Sequence, residues 1–251
     1  TTIKTVVEKS LLYCDDVIVV TDGCTDRTTD ILDAIDGITI VSYPQNRGKG
    51  YALKMGFRKA LEMGFSYAIT LDGDGQHYPE DIPLFLKANQ EHPKSLIIGS
   101  RQLEGVDRSQ GSSFANKFSN FWFYVQTGRA LPDTQTGYRL YPLHRLCGLS
   151  LLTSRYEAEL ELLVFASWHG VKLVPIPIQV YYPPRNERVS HFRPGKDFAR
   201  ISVLNTVLCF LAVVYGLPLR LWRTLMTFLR TAYSLLFFLF FTLVVFTPFV
   251  W

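Results

Sequence analysis

The sequence predicts an α/β fold, an open and mainly parallel sheet flanked by helices, followed by C-terminal membrane helices. First, short β-branched runs alternate with amphipathic helical segments, as they do in successive βαβ units. Second, polar and glycine-rich segments follow these runs, at the sheet edge where open parallel sheets bind ligands. Third, charge becomes sparse after residue 200, apart from one short basic stretch.

The spacing of apolar residues predicts each element in turn. Residues 2–12 carry apolar side chains along one helical side, and the run at 17–20 is typical of a strand buried on both faces. The chain begins with a helix where a nucleotide-binding sheet usually begins with a strand, so we expect a further strand upstream of Thr2. The expected helices are 2–12, 25–35, 51–63 and 81–88, and the expected strands are 17–20, 38–41, 67–71 and 95–99.

The step in composition divides the chain into a globular domain, 1–200, and a membrane-associated segment, 201–251. Residues 231–251 are uncharged and numerous enough to cross a bilayer. Residues 219–230 place arginines on one helical face and apolar side chains opposite, as interfacial helices do. We expect 201–219 to be interfacial or re-entrant. In the competing arrangement, 201–219 and 231–251 both cross the membrane as a hairpin. That hairpin puts the basic residues between the two spans outside, against the positive-inside tendency.

Basic residues gather around this tail, where they favour anionic headgroups or a lipid phosphate, or simply fix the topology. They are Arg185, Arg188, Arg193, Lys196, Arg200, Arg220, Arg223 and Arg230. The four cysteines show neither metal-site nor disulfide-framework spacing, and residues 1–13 do not read as a signal peptide. Reduced thiols in a cytoplasmic compartment are therefore expected.

The most informative motif is the acidic turn at 72–77, with the sequence Asp-Gly-Asp-Gly-Gln-His directly after an apolar strand. Two carboxylates at i and i+2, with an amide oxygen nearby, form the oxygen-only set that Mg²⁺ or Mn²⁺ prefers. The alternative is an ordinary solvated turn.

Two further segments end at the same predicted edge. Asp22 is a candidate acceptor for a base imide or ribose hydroxyl, whereas Thr25 or Asp26 is a candidate N-cap for the next helix. Lys49, in the Asn-Arg-Gly-Lys-Gly run at 46–50, and the backbone amides of a helix start suit a diphosphate. The run is not a P-loop, and an ordinary glycine loop is the alternative.

Taken in order, these motifs resemble glycosyltransferase family 2, and within it the dolichyl- and polyprenyl-phosphate sugar synthases. The resemblance covers about residues 2–193, and its motifs are individually weak but specific in their fixed order. The matching runs are 18–26, 46–50, 72–77, 99–101, 133–139 and 156–159.

This resemblance implies a GT-A type fold and a metal-dependent, inverting transfer. The sugar passes from a nucleotide-diphosphate sugar to a polyprenyl phosphate in the membrane, with the catalytic domain facing the cytoplasm; nucleic acid is not an expected partner. The implied metal is Mg²⁺ or Mn²⁺, held by Asp72, Asp74 and Gln76. The implied contacts of the donor are Asp22, Lys49 and Asp72. The implied catalytic residues are Asp72, Asp74 and Arg139, with Arg139 near the sugar and phosphates. The implied contacts of the acceptor phosphate are Arg101, Arg108, Ser112, His191 and Arg193.

Three departures from the family pattern matter. The Pro-x-Tyr-Asn-Glu run of the usual first strand is absent, and Thr21 stands where many members have a first aspartate. His191 stands where a phosphate-binding lysine is common. A neutral imidazole binds phosphate less well than lysine does, although a nearby phosphate favours the charged form.

The identity of the acceptor leaves alternatives open. A phosphate is already ionised near neutral pH and needs no strong base. A lipid or glycan hydroxyl would need a carboxylate base, for which Glu157 and Glu159 are candidates unless they are only helix-start charges. A non-catalytic membrane-bound module that binds nucleotide sugars or lipid phosphates is the third possibility.

Overall fold

The computed structural model describes residues 2–101, 110–149, 151–181 and 194–246, with side chains at 2–101, 114–149, 151–181 and 199–238. Each helix and strand expected from the sequence is present, with ends that differ by a few residues. The strands are β1 Val17–Asp22, β2 Ile38–Tyr43, β3 Tyr67–Thr70, β4 Leu96–Arg101, β5 Arg139–Pro142 and β6 Leu173–Ile178. The helices are α1 Thr2–Ser10, α2 Thr28–Asp33, α3 Lys49–Glu62, α4 Ile82–Glu91, α5 Gln110–Thr127, α6 Leu143–Leu146, α7 Glu157–Trp168, α8 Pro194–Leu211 and α9 Leu217–Phe246.

The strands form two sheets within the described residues. In the first sheet β1 pairs in parallel with β2, and the second sheet has four strands in the order β3-β5-β4-β6. β4 and β6 are parallel, whereas the short β5 runs antiparallel to both β3 and β4. The predicted α/β class is confirmed, with β5 as the antiparallel insertion that the sequence pattern did not reveal. The expected strand upstream of Thr2 stays a prediction.

Two prolines lie on β6, the strand at one edge of the four-stranded sheet. Leu96 N donates to Lys172 O, so the even-numbered residues of β6 direct their N–H groups toward β4. Pro175 and Pro177 therefore occupy outward-facing positions, where other residues would present donors. Prolines at such positions protect an exposed edge from pairing with another strand.

Helix α7 is the centre of the main core. It is buried along almost its whole length, and Leu163, Val164 and Trp168 pack with side chains of α5, α8 and the sheet. A helix that is apolar all round is stable only when it is surrounded, which α7 achieves here. Two acidic residues, Glu159 and Glu161, are nevertheless buried in it.

The tail forms one helical path. α8 passes through a π-helical segment, Ala212–Gly216, directly into α9, without the reversing turn that a two-span hairpin requires. One face of α8 is buried against the domain through Leu204 and Leu208, and Gln126 Nε2 donates to Asn205 Oδ1 at 2.9 Å. The first apolar segment is therefore docked on the globular domain along one side.

The start of α9 also contacts the domain. Arg220 Nη1 donates to Thr127 O, the carbonyl at the end of α5, at 2.5 Å. The Arg223 guanidinium lies beside Gly170, just beyond the end of α7. The carbonyl ends of helices attract cations. These two arginines, expected at lipid headgroups, thus fix α9 to the domain.

Within the described side chains, the single helical run Ala199–Phe238 is long and apolar enough to cross a membrane. Only 22% of its most apolar window is buried, so it does not resemble the core helix of a soluble protein. The predicted span 231–251 extends past the described residues, and its crossing stays a prediction.

We expect Gly216→Ala to destabilise the joint between α8 and α9. A methyl group there would lie 2.6 Å from Trp168 Cε2 and within 3 Å of two further ring atoms, and the ring is buried. Overpacking of this kind costs about 1–3 kcal/mol, more than the ~1 kcal/mol that alanine gains over glycine in a helix. The measurement is the apparent melting temperature in detergent.

Gly56→Ala in α3 is the matched control, because its methyl group would meet only Val20 Cγ2 at 3.3 Å. The control should be neutral or stabilising. A Gly216→Ala protein that melts at or above the wild-type temperature would show that Gly216 does not pack tightly on Trp168.

Candidate active site

A partly buried ion group lies at the carboxyl edge of the sheet. Lys49, the first residue of α3, places its Nζ 2.7 Å from Asp72 Oδ1 and 3.0 Å from Glu159 Oε2. Asp72 follows β3, and Glu159 belongs to the first turn of α7. Three separate elements therefore meet at one ammonium group.

The charges in this group stabilise one another. Burial alone would lower the pKa of Lys49, but the neighbouring charges of Glu159 and Asp72 outweigh burial and raise it. Burial would raise the pKa of Asp72, yet the attraction of Lys49 leaves it below the ordinary value. Lys49 is thus a cation and Asp72 an anion at neutral pH.

Asp22 holds the loop that precedes Lys49. Its Oδ1 accepts from Arg47 N at 2.7 Å and its Oδ2 accepts from Gly48 N at 2.8 Å. Gly23, at φ +64°, packs on the Asn46 backbone and leaves no room for a side chain. The structure thus directs both oxygens of Asp22 at the protein backbone, whereas the resemblance implies a contact with the donor.

A second loop supports the same segment from the side of α7. Glu161, which is completely buried, accepts from Leu152 N at 2.5 Å, from Thr153 N at 2.9 Å and from Thr153 Oγ1 at 2.6 Å. Ser154 O in turn accepts from Tyr51 N at 2.9 Å in the first turn of α3. The buried carboxylate thereby fixes a loop that packs against the start of α3.

Gly48 and Gly50 make that packing possible. A side chain at Gly48 would collide with Arg155 and Ser154 O, and one at Gly50 would collide with Ala158. The two glycines of the motif are therefore explained by the close approach of two loops.

The acidic turn is compact. Asp74 Oδ1 accepts from Gln76 N at 3.0 Å, and Gly75 adopts φ +76°. Helix α1 covers the turn, because a side chain at Gly73 would meet Ile3 and one at Gly75 would meet Thr2. The N-terminal helix thus forms one wall of the site.

His77 is buried beside Asp72. Its Nδ1 lies 3.9 Å from Asp72 Oδ2 and has no hydrogen-bond partner among the described residues. Burial lowers its pKa below the ordinary value despite the attraction of Asp72 and Asp74. The imidazole is therefore neutral near pH 7.

Arg139 lies beneath the site and has no exposed surface. Its Nη1 donates to Glu159 O at 2.9 Å, and its Nη2 donates to Thr134 O at 3.0 Å. The family resemblance implies a contact of Arg139 with the sugar and phosphates of the donor. The described structure instead has Arg139 tying β5 to the beginning of α7 and to the preceding loop.

Arg101, at the end of β4, is bound in a bidentate pair. Its Nε donates to Asp133 Oδ2 at 2.6 Å and its Nη2 donates to Asp133 Oδ1 at 2.9 Å. Asn116 Nδ2 on α5 also donates to Asp133 Oδ1, at 3.0 Å. Burial would raise the pKa of Asp133, but the hydrogen bond and charge of Arg101 hold it below the ordinary value.

The other residues assigned to the acceptor phosphate lie wholly or partly outside the described residues. Arg108, His191 and Arg193 lie outside the described residues, and Ser112 is described by its backbone in α5 alone. Their assignments stay predictions.

Two supporting acids were missed by sequence reasoning. Asp133 lies in the run 133–139, in which the resemblance gives it no role, and Glu161 lies outside all the matching runs. The signal for Glu161 is its position in the strongly apolar stretch of α7, where a buried carboxylate must be hydrogen-bonded.

The donor set suits a hard cation. Within the described side chains, no group of three or more His, Cys, Asp and Glu residues is arranged for a metal. The acidic turn offers two carboxylates, of Asp72 and Asp74, with the amide of Gln76, and Asp72 is about 30% exposed. Such oxygen donors fit Mg²⁺ or Mn²⁺, which complete their shells with water and substrate phosphates.

Comparison with known sequences decides the family. The profile of "Glycosyl transferase family 2" matches residues 1–141, more than half of the chain. The chain belongs to glycosyl transferase family 2. It is therefore a glycosyltransferase, and its resemblance to that family is confirmed.

Similar members of this family act on lipid phosphates. The undecaprenyl-phosphate mannosyltransferase of Micrococcus luteus is 30% identical over 173 residues, 65% of this chain and 70% of that protein. The UDP-N-acetylglucosamine–dolichyl-phosphate N-acetylglucosaminyltransferase of Methanococcus voltae is 28% identical over 190 residues, 67% of this chain and 75% of that protein.

A solved structure shows the same fold. Glucosyl-3-phosphoglycerate synthase from Mycobacterium tuberculosis, in complex with Mn²⁺, uridine diphosphate and phosphoglyceric acid, superposes with a TM-score of 0.62. The match covers 84% of this chain and 74% of that chain at 18% identity. The expected GT-A type fold of this glycosyltransferase is thereby confirmed.

We expect Asp133→Asn to destabilise the glycosyltransferase in a pH-dependent way. Loss of the charge-assisted pair with Arg101 should cost about 2–3 kcal/mol of unfolding free energy at pH 7. The folded-state pKa of Asp133 is depressed, so its stabilisation is present above the unfolded pKa of about 4 and is lost as pH falls through the folded pKa. The gap between wild type and variant should therefore narrow below about pH 4.

Melting temperatures in detergent across this pH range provide the measurement. Asp33→Asn, at an exposed position of α2, is the control and should follow the wild type. A gap between Asp133→Asn and wild type that stays constant down to low pH would contradict the role of the Arg101 pair.

Proposed function

We propose that this protein is a metal-dependent, inverting glycosyltransferase that moves a sugar from a nucleotide-diphosphate sugar to a polyprenyl phosphate. The observation that carries the proposal is the Lys49 ammonium, held between Asp72 and Glu159 beside the acidic turn. The named relatives that use dolichyl or undecaprenyl phosphate support the class of acceptor.

Asp72, Asp74 and Gln76 would hold the divalent metal. When bound, Mg²⁺ or Mn²⁺ would neutralise charge on the diphosphate oxygens of the donor. The complexes of the structural neighbours with Mn²⁺ or Mg²⁺ are consistent with this assignment.

Lys49 supplies fixed positive charge near the departing diphosphate. Asp72 and Glu159 keep it protonated and in place, so no reorganisation is needed as negative charge develops. Asp22 contributes by positioning the loop that precedes Lys49, and Arg139 by positioning the start of α7.

A phosphate acceptor fits the site better than a hydroxyl. An oxygen of the ionised acceptor forms the new bond to the anomeric carbon as the bond to the diphosphate breaks, and this single displacement inverts the configuration. No proton has to be removed. Of the two candidate bases for a hydroxyl acceptor, Glu157 and Glu159, the second is already bound to Lys49. Arg101, Arg108, Ser112, His191 and Arg193 remain the proposed contacts of the acceptor phosphate.

The tail would bring this chemistry to the bilayer. In this proposal 1–200 is the catalytic domain facing the cytoplasm, and 201–251 is the membrane-associated segment. The docking of α8 and the start of α9 on the domain supports a fixed distance between site and membrane.

A transfer assay tests the function. Membranes that contain polyprenyl phosphate are incubated with radiolabelled nucleotide sugars and Mn²⁺, and lipid-extractable label is measured. We expect an acid-labile product that is lost in Asp74→Ala and retained in Asp36→Ala, a control at an exposed aspartate. An acid-stable product would favour a hydroxyl acceptor. Donor binding without turnover would favour a non-catalytic module, and metal-independent transfer by Asp74→Ala would refute the assigned site.

We expect Lys49→Met to lower kcat by about 10²–10³-fold, the usual cost of removing one fixed group that stabilises developing charge. Lys49→Arg keeps the charge and should retain part of the activity. Lys87→Met, at an exposed position of α4, is the control. The measurement is kcat at saturating donor, and a wild-type kcat in Lys49→Met would place Lys49 away from the reacting diphosphate.

A further inference from the structure

Helix α5 buries polar side chains. Along its inward face, Asn116, Ser119, Gln126 and Thr127 are all at least nine-tenths buried. Each makes at least one hydrogen bond: Asn116 with Asp133, Ser119 with Thr134, Gln126 through Nε2 with Asn205 Oδ1, and Thr127 with Phe123 O. The domain side of this helix is therefore a hydrogen-bonded surface, with Phe123 as its large apolar member.

The outward face of the same helix is apolar. Phe114 and Phe121 are 63% and 57% exposed, and Tyr124 and Val125 are also exposed. Positions 114, 121 and 125 recur at i, i+7 and i+11, so they form one stripe along the helix. A helix on the surface of a water-soluble domain has the opposite arrangement.

This stripe adjoins the membrane-associated tail. α8 packs on α5 through the Gln126–Asn205 hydrogen bond, and Arg220 of α9 binds the last carbonyl of α5. α8 and the π-helical segment after it carry an exposed apolar stripe of their own, formed by Val203, Val207, Phe210 and Val214. Exposed apolar side chains are therefore present both on the candidate membrane helix and on α5, which packs against it.

The composition of the stripe matches the boundary between lipid chains and headgroups. Tyr124, which is exposed, has an amphipathic ring of the kind enriched at that depth. Lys117 is exposed on the same face, where its aliphatic stem can cover apolar surface while the ammonium reaches the headgroups. Isolated exposed phenylalanines need no explanation, but a contiguous aromatic stripe on a helix with a polar inner face does.

We propose that α5 lies in the membrane interface, with its Phe114–Phe121–Val125 stripe inserted at the boundary of the lipid chains. The occupant of this surface is the bilayer itself. Membrane contact then includes the catalytic domain and is not confined to residues 201–251. The inference deepens the membrane attachment in the proposed function but does not depend on the transfer chemistry.

Placement of α5 in the interface has a consequence for the site. Asn116 of α5 and Arg101 of β4 bind the same carboxylate, that of Asp133. A helix inserted at the lipid boundary would therefore hold the end of β4 at the depth of the lipid headgroups. An acceptor phosphate would not have to leave the bilayer surface to reach this edge.

Site-directed fluorescence in lipid nanodiscs tests the proposal. In the full chain with Cys14, Cys24, Cys147 and Cys209 changed to serine, a polarity-sensitive nitrobenzoxadiazole probe is attached at Phe121→Cys. Leu236→Cys, exposed on α9, is the lipid-facing reference, and Leu84→Cys, exposed on α4, is the matched aqueous control. Quenching is measured with nitroxide-labelled phosphatidylcholine and with aqueous iodide, beside circular dichroism to verify folding.

We expect the probe at 121 to lose its emission to nitroxide lipid as the probe at 236 does, and the probe at 84 to lose it to iodide. Quenching at 121 by iodide alone, with lipid quenching at 236, would overturn the α5 proposal while leaving membrane attachment intact. Protection at 121 from both quenchers would show a protein partner, such as a second copy, and would equally overturn it. Absence of lipid quenching at both 121 and 236 would overturn the attachment as well, independently of any turnover.

Discussion

The ion group of Lys49, Asp72 and Glu159 is the constraint on which the site depends. It joins the start of α3, the end of β3 and the first turn of α7, elements that are far apart in the sequence. A partly buried ammonium is unfavourable without anionic partners, so the pairing with Asp72 and Glu159 favours the arrangement in which these three elements meet. The residues that would handle the donor are therefore fixed by the fold itself.

Around this group, buried charges act through the backbone. Asp22 and Glu161 accept from main-chain amides of two loops, and Arg139 donates to two main-chain carbonyls. Charge-assisted hydrogen bonds of this kind are strong and hold loops that have little regular structure. The polar motifs of family 2 thus contain two kinds of residue in this chain. Some residues lie at the carboxyl edge of the sheet, where ligands can bind, and others hold the loops on which those residues stand.

The sequence was sufficient for the alternation of helices and strands and for placing the acidic turn at a strand end, because both follow from local apolar spacing. It was insufficient for β5, whose four residues carry no periodicity, and for the Lys49–Glu159 pair, which only tertiary packing creates. The orientation of Asp22 depends on where the neighbouring loop closes. The sequence was also insufficient for the continuous path from α8 into α9, which Pro218 does not interrupt because a proline near the beginning of a helix costs little.

Pro175 and Pro177 on β6 have a consequence for how copies of this enzyme can associate with one another. Within the described sheet, the outermost strand lacks donors at two of its outward positions, so it is a poor template for strand pairing between molecules. Association through helical surfaces needs no such main-chain donors and is therefore favoured over association through this edge. Even at high local concentration, this edge would contribute little to β-sheet aggregation.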